Sequence, residues 1–484
     1  MNRENIFNLL YNVIIFICLF LGFGLRVLTY LYNRSLWHDE ASLALSIIND
    51  VNLFKPLPHN QFAPQLFLFS TNILANIFGN DEMILRFIPF IFGAASILLF
   101  YFLSKEVLQK RLSIIVANFL FAVNYHLIYY CQEFKQYSTD VFFFMLTLVI
   151  LSKIDLEQIN AKRYLFIGTA IILLPMVSLP SFIVVIAWFL TELFRSKFTN
   201  IKNLLYFIPF FAVVVIYFIY VLCPAKYNVE TAQINFWTDG YLKLNLLFVL
   251  KFIKSCYDYC FEPNTYALFS LILSCTGWYY IFRNKESKSI YRLIIVSCFI
   301  TILLSVFQIY PIYGRTGLFL TPIVILSVVI PMDRIKWVYF VLLFILLTFS
   351  SYNFAYIKSF FNKNIFLYKN ARAVTEILKE KYKKGDIVIY NSASDSDYEY
   401  YTNLMQINIS DYAIMQLPNI SENEKKVIFE ESLSYLKKGK IYIFYFAYNR
   451  KNSNELILLE NWLKDKNVLW QYKENDSLIA GVKF

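Results

Sequence analysis

Residues 6–40 read IFNLLYNVIIFICLFLGFGLRVLTYLYNRSLWHDE, an apolar run from Ile6 to Tyr32 broken by one charge at Arg26, followed by Trp37-His38-Asp39-Glu40. A membrane helix needs ~20 mainly apolar residues, and the run exceeds that length. It carries no small-residue cleavage site and is too long for a signal peptide, so it reads as a retained first span. The acidic pair that follows therefore stands at a membrane edge.

The pattern extends through most of the chain. Of 484 residues, 58% are apolar and 19% aromatic, with 49 Phe and 37 Tyr, and only 16% are charged. A soluble domain runs near ~25% charged. The charge is also unevenly placed. Residues 354–484 hold 35 of the 79 Asp, Glu, Lys and Arg, about 27% of that segment, against about 12% of the first 353. The fold class expected is a polytopic α-helical membrane protein with a C-terminal α/β domain. Residues 1–353 form the transmembrane domain, with a long first external loop at 33–84, and residues 354–484 form the soluble domain.

Eleven apolar stretches qualify as spans: Ile6–Tyr32, Leu85–Phe102, Leu112–Tyr130, Ser138–Leu151, Tyr164–Val177, Pro180–Phe194, Leu204–Cys223, Thr265–Phe282, Leu293–Tyr310, Gly317–Pro331 and Trp337–Tyr352. Pro64–Phe78 is too short. Tyr241–Cys260 carries Lys243, Lys251, Lys254 and Asp258 as one charged stripe, which suits a helix lying in the interface. With the N-terminus cytoplasmic, sixteen basic residues fall on internal segments and eight on the longer external ones. That distribution satisfies the positive-inside rule at every internal loop and puts the C-terminal domain outside the cytoplasm. The expected location is the cell membrane. Within the tail, the pattern predicts helices over Asn370–Lys384 and Asn454–Lys466. Strands are expected over Asp386–Tyr390, Ile441–Tyr445 and Leu478–Phe484.

The other counts exclude several functions. The +11 formal charge lies mostly in short loops, a mark of membrane orientation, so no nucleic-acid partner is expected. Three His and seven Cys, with no CxxC, support neither a zinc site nor a disulfide framework. No cofactor is evident. Acidic sites can recruit divalent ions, so metal dependence stays open.

Scarce charges inside such a body are costly and usually functional. Asp39 and Glu40 point in different directions on a helix, so at most one serves as a reacting base. Low-dielectric surroundings would raise its basicity and let it deprotonate a hydroxyl nucleophile; the alternative is an ordinary acidic helix cap. Glu133, Tyr137 and Asp140, spaced i, i+4, i+7, fall on one helical face on the same external side. Structural pairing of Lys135 with either carboxylate is the alternative there. Arg315 opens a span externally, against the topological bias, which suggests a local anion such as phosphate; snorkelling to headgroups is the alternative. Arg26 and Arg86 are similar, and either is a candidate partner for Asp39 or Glu40. An external acidic pair beside external cations is what sugar transfer from a lipid phosphate requires.

At these residues the chain resembles polytopic glycosyltransferases of the GT-C class, and is similar to bacterial relatives of protein O-mannosyltransferases and lipid A aminoarabinose transferases. The resemblance is carried by Arg26, Leu36-Trp37-His38-Asp39-Glu40-Ala41, Ala63-Pro64-Gln65-Leu66-Phe67, Phe78-Gly79-Asn80-Asp81-Glu82 with Arg86, Tyr130-Cys131-Gln132-Glu133-Phe134-Lys135-Gln136-Tyr137, and Tyr313-Gly314-Arg315 before Pro322. It is specific over residues 20–150 and loose to about 332. It implies Asp39 as acceptor base with Glu40 supporting, and it maps a Glu-x-Arg-x-Tyr-like element onto Glu133, Lys135 and Tyr137; with Asp140, read from its spacing, Glu133 and Tyr137 are expected around the acceptor. Lys135, Arg315 and Arg86 would bind the lipid phosphate. Two positions depart from the family pattern: Lys135 replaces a common Arg and Gln65 a common Pro. The resemblance implies a polyprenyl-phosphate sugar donor and an extracytoplasmic acceptor, whether glycan, lipid or protein. A transporter or flippase of envelope assembly is the rival reading. Transporter cores tend to show internal repeats with polar groups at the midplane, whereas no repeat is visible here and the ionisable residues gather at one face.

Overall fold

The computed structural model describes residues 3–335 apart from 50, 51, 53, 56, 60, 157–159, 196–203, 223–239, 246–247, 251–252, 254–264 and 285–287, and residues 370–484 apart from 417–421, 448–453 and 475–476, with 354 and 358 between. The expected eleventh span Trp337–Tyr352 and the join at 353–354 therefore lie outside the described residues, but for 354. So does most of Tyr241–Cys260.

The N-terminal body is helical. Its elements are α1 (Arg3–Leu31), α2 (His38–Ile48), α3 (Gln65–Phe78), α4 (Glu82–Val107), α5 (Arg111–Val123), α6 (Tyr125–Tyr130), α7 (Tyr137–Ser152), α8 (Ala161–Val177), α9 (Leu179–Arg195), α10 (Ile208–Tyr217), α11 (Thr265–Arg283), α12 (Ser289–Val306) and α13 (Thr321–Val329). A 3-10 helix, Gly314–Leu320, leads into α13. Among the described residues, four helices are long and apolar enough to cross a membrane: Glu4–Leu31, Glu82–Val107, Ser289–Val306 and Gly314–Asp333. Only 17% of the most apolar window of the first is buried within the protein. Phe7, Phe16 and Phe20 face outward, as a lipid solvent permits. The helix α3 has 14 residues, about 21 Å of rise, short of the ~30 Å hydrocarbon core.

Two local features differ from the uniform spans expected. The stretch 112–130 is broken at Asn124, whose side chain accepts from Leu127 N–H and caps α6. The break strands the last carbonyls of α5, which a helix end cannot satisfy internally. Arg26, fully buried, reaches across from α1 and donates to Ala122 O at 3.1 Å and Phe121 O at 3.5 Å. The second feature is the start of α7 at Tyr137. Glu133 lies in the turn before it, so the single helical face expected for Glu133, Tyr137 and Asp140 does not form.

Helices approach closely where small residues allow it, as membrane packing favours. A Cβ on Gly93 of α4 would sit 2.5 Å from Cys131 Cβ and 3.3 Å from Ser138 Cβ. That contact holds the 131–136 turn against α4.

The C-terminal part is a five-stranded sheet in the order β2-β1-β3-β5-β4, with β1 (Ile387–Asn391), β2 (Tyr412–Met415), β3 (Ile441–Ala447), β4 (Val468–Glu474) and β5 (Ser477–Lys483). The pairs β1/β2 and β1/β3 are parallel; β3/β5 and β4/β5 are antiparallel. Strand alternation splits β3 between two cores. Tyr442, Phe444 and Phe446 pack with α16 (Glu422–Ser434) and α17 (Asn454–Leu463). Ile443, Tyr445 and Ala447 join α14 (Ala371–Lys381), α15 (Asp395–Leu404) and residues of α2 and α3 in one continuous core. The sequence pattern predicted α14, α17, β1, β3 and β5. It missed α15, α16 and β2, whose polar or mixed surfaces carry weak periodicity, and β4, although its residues alternate between half-buried and exposed.

Gly93→Val should lower the stability of the solubilised protein by about 1–3 kcal/mol through overpacking. Gly24→Ala, inside α1 where a Cβ would meet nothing within 4 Å, should instead raise it by roughly 0.5–1 kcal/mol. Thermal unfolding in detergent distinguishes the two.

Candidate functional site

Glu40 organises the site. It lies in the first turn of α2, fully buried, and its carboxylate takes Arg86 in bidentate fashion: Nε to Oε1 at 2.8 Å and Nη2 to Oε2 at 2.7 Å. Arg34 Nη1 stands 3.1 Å from Oε2, and the backbone N–H of Phe134 donates to Oε1 at 2.6 Å. The backbone N–H of Trp37 donates to Oε2 at 3.3 Å, so Glu40 also closes the start of α2 as a capping residue does. Burial would raise its carboxyl, but Arg34 and Arg86 outweigh that and hold it down at about 2. Arg86 also donates to the carbonyls of Arg34 and Ser35. Every nitrogen of its guanidinium thus serves the loop that carries the acidic motif.

Asp39 turns the other way. It is 27% exposed, and its Oδ2 accepts from Arg315 Nη2 at 2.9 Å. Gly314, at φ 64°, occupies the left-handed region favoured by glycine and opens the 3-10 helix that presents Arg315. Phe319 of that helix packs on Phe144 of α7, ring centres 5.0 Å apart, which sets Arg315 over the start of α7. The guanidinium lies 5.0 Å from the Trp37 ring centre and 5.7 Å from that of Tyr137, within cation–π range.

The electrostatics correct one expectation. Burial would raise Asp39, but Lys135 and Arg315 outweigh it, so the carboxyl sits below its usual value rather than above it. Glu133 is the raised group. Burial comes first and the neighbouring Glu40 charge second, and together they push it up to about 7 despite Arg34, whose Nη2 is 3.8 Å from Glu133 Oε2. Lys135 is pushed down to about 8, by burial first, with Arg315 adding to it against Asp39. Its ammonium donates to Gln61, not to Glu133 or Asp140. Asp140 is buried in α7, and its Oδ1 has no hydrogen-bond partner among the described residues.

The structure therefore brings Asp39, Arg315, Lys135, Glu133 and Tyr137 together, with Glu40 and Arg86 beneath them. It adds two groups to which the sequence reading assigned no role at the site. Arg34, counted there only as an external charge, bridges Glu40 and Glu133. Trp37 supplies one face of the Arg315 cradle. The signal for both was position within the Asn33–Glu40 segment. Among the described residues no cluster of three or more His, Cys, Asp or Glu is placed to hold a metal.

Glu40→Gln should cost about 3–5 kcal/mol, because it leaves buried Arg34 and Arg86 without their counter-charge. Asp39→Asn, at the rim, should fold normally. Thermal unfolding and monodispersity of the purified variants measure both. A second test uses pH. Glu133 has a folded value raised above the unfolded carboxylate value of ~4.3, so its penalty is absent below that pH and complete above about 7. Glu133→Gln should therefore stabilise the protein more at pH 8.5 than at pH 4.5, read as the difference between melting curves.

No protein-family model matches the chain, and no curated protein matches it. Solved structures do. The crystal structure of ArnT from Cupriavidus metallidurans in the apo state aligns over 99% of this chain and 98% of its own, with TM-score 0.52 and 10% identity. The crystal structure of the same protein bound to undecaprenyl phosphate aligns over 98% of each chain, with TM-score 0.49 and 10% identity. The apo-state alignment gives the chain an ArnT-like fold, in keeping with the GT-C resemblance carried by residues 20–150.

Proposed function

We propose that the chain is an inverting glycosyltransferase that moves a sugar from a polyprenyl-phosphate donor to an extracytoplasmic acceptor. The observation that carries this reading is the Asp39–Arg315 pair: an accessible carboxylate held against a cation at a membrane edge, with buried Lys135 nearby. Fold likeness to ArnT supports it as analogy only.

In this reading the acceptor hydroxyl attacks the anomeric carbon, and its proton passes to Asp39. The bond from that carbon to the phosphate oxygen breaks, its electron pair leaving with the lipid phosphate. In-line displacement inverts the centre. Arg315 and Lys135 face the phosphate, where negative charge grows in the transition state. A donor phosphate that engages Arg315 draws away the counter-charge that lowers Asp39, so donor binding would restore the basicity the carboxylate needs. Glu133, Tyr137 and Asp140 position the acceptor. We place Glu40 and Arg86 beneath the site, since their polar atoms are committed to holding the loop.

The proposed topology has eleven spans, a cytoplasmic N-terminus and an extracytoplasmic domain at 354–484. It rests on the distribution of basic loop residues and on the gathering of the site groups at one end of the helices. The rival transporter reading differs in its product.

Purified protein should carry a polyprenyl-phosphate sugar detectable by mass spectrometry, and should transfer that sugar to an acceptor in reconstituted membranes. Asp39→Asn should lower transfer by about 10²–10⁴-fold, the scale of a general base, while retaining the lipid. Full activity in Asp39→Asn would remove Asp39 as the base. Lipid movement without any glycosidic product would favour the transporter.

A further inference from the structure

The C-terminal domain meets the segment before the acidic motif through Tyr401 and its neighbours. Tyr401 of α15 is fully buried, although it belongs to the soluble domain. Its hydroxyl accepts the backbone N–H of Leu36 at 2.8 Å and donates to Glu82 Oε1 at 2.9 Å, with Ser35 Oγ also at 2.9 Å. Beside it, Arg372 of α14 bonds Glu82 Oε1 through Nε at 2.7 Å and the carbonyl of Asn33 through Nη2 at 2.9 Å. Residues 33–37 have no regular structure, so their buried backbone groups need partners from elsewhere. They find them on two sides. Arg86 holds the carbonyls of Arg34 and Ser35 from the helical body, and Tyr401 holds the N–H of Leu36 from the other domain. Asp39 follows three residues later.

We propose that Tyr401 is a positioning residue for Asp39: docked between Leu36 and Glu82, it fixes the entry of α2 and so makes the C-terminal domain part of the site. The contact continues along α2, where Ser42 Oγ donates to Ser396 Oγ at 2.8 Å. His38 Nδ1 lies 3.6 Å from Asp397 Oδ2 and 3.8 Å from Asp395 Oδ1. One helix of the soluble domain thus runs along the helix that carries Asp39. The positioning role rests on the reading of Asp39 as the acceptor base; the docking does not.

Tyr401→Phe in the full-length protein removes one hydroxyl and keeps the ring. Tyr398→Phe is the control: it lies on the same helix, and its hydroxyl has no hydrogen-bond partner among the described residues. Hydrogen exchange should accelerate at least about tenfold in peptides covering 33–40 of Tyr401→Phe, the scale of a lost buried hydrogen bond. Peptides from β1 and β3 should be unchanged, and Tyr398→Phe should match the parent protein throughout. In a preparation that transfers sugar, Tyr401→Phe should lower kcat at least about tenfold with KM for the donor unchanged. Unchanged exchange at 33–40 overturns the proposal, as does acceleration spread over the whole domain. Local acceleration with undiminished kcat overturns the positioning role. A parent protein inactive with every polyprenyl-phosphate sugar overturns the assigned reaction instead, and the exchange result then decides the docking alone.

Discussion

Most of this site depends on one buried carboxylate. Glu40 is fully buried, so its charge is sustained by Arg34, Arg86 and the Phe134 N–H around it. Each partner comes from a different piece of chain: Arg34 from the segment before α2, Arg86 from the second turn of α4, Phe134 from the turn before α7. Pulling any of them away leaves an uncompensated charge in the interior. The geometry of three segments is therefore tied to a single side chain, and Asp39, one residue earlier, inherits that rigidity.

The neighbouring residue shows how helix geometry divides labour. Side chains one position apart diverge on a helix, so Glu40 points inward while Asp39 reaches the rim and Arg315. Their environments then diverge as well. Glu40 is locked as an anion by fixed partners, whereas Asp39 sits at the rim against the single guanidinium of Arg315. Glu133, buried first of all and close to the Glu40 charge besides, moves up to about 7 despite Arg34.

The tyrosines of the tail illustrate what burial decides. Tyr398, Tyr400 and Tyr401 fall within one short helix rich in acidic residues. In the folded chain all three are buried. Tyr398 stacks on Tyr390 of the sheet with ring centres 4.2 Å apart, Tyr400 donates to the carbonyl of Asn80, and Tyr401 meets Leu36 and Glu82. Tyr400 and Tyr401 thus join the two parts of the protein, while Tyr398 packs within the C-terminal part.

The sequence by itself determined the membrane character, the helical body and the acidic motif. Hydrophobic runs and scarce charges are properties of composition and spacing, and these survive without a fold. It also supplied Asp39, Arg315, Lys135 and Glu133 as candidates, because a charge inside an apolar chain needs a reason. Which charges pair with which was decided only by tertiary structure. Asp39 meets Arg315 across 276 positions, and no local periodicity encodes so distant an encounter. The same holds for the break at Asn124 that turns Arg26 into a cap for stranded carbonyls, for the lowered rather than raised Asp39, and for the docking of Tyr401. Each depends on desolvation and on the distance between groups from separate segments, and both quantities exist only once the chain has packed.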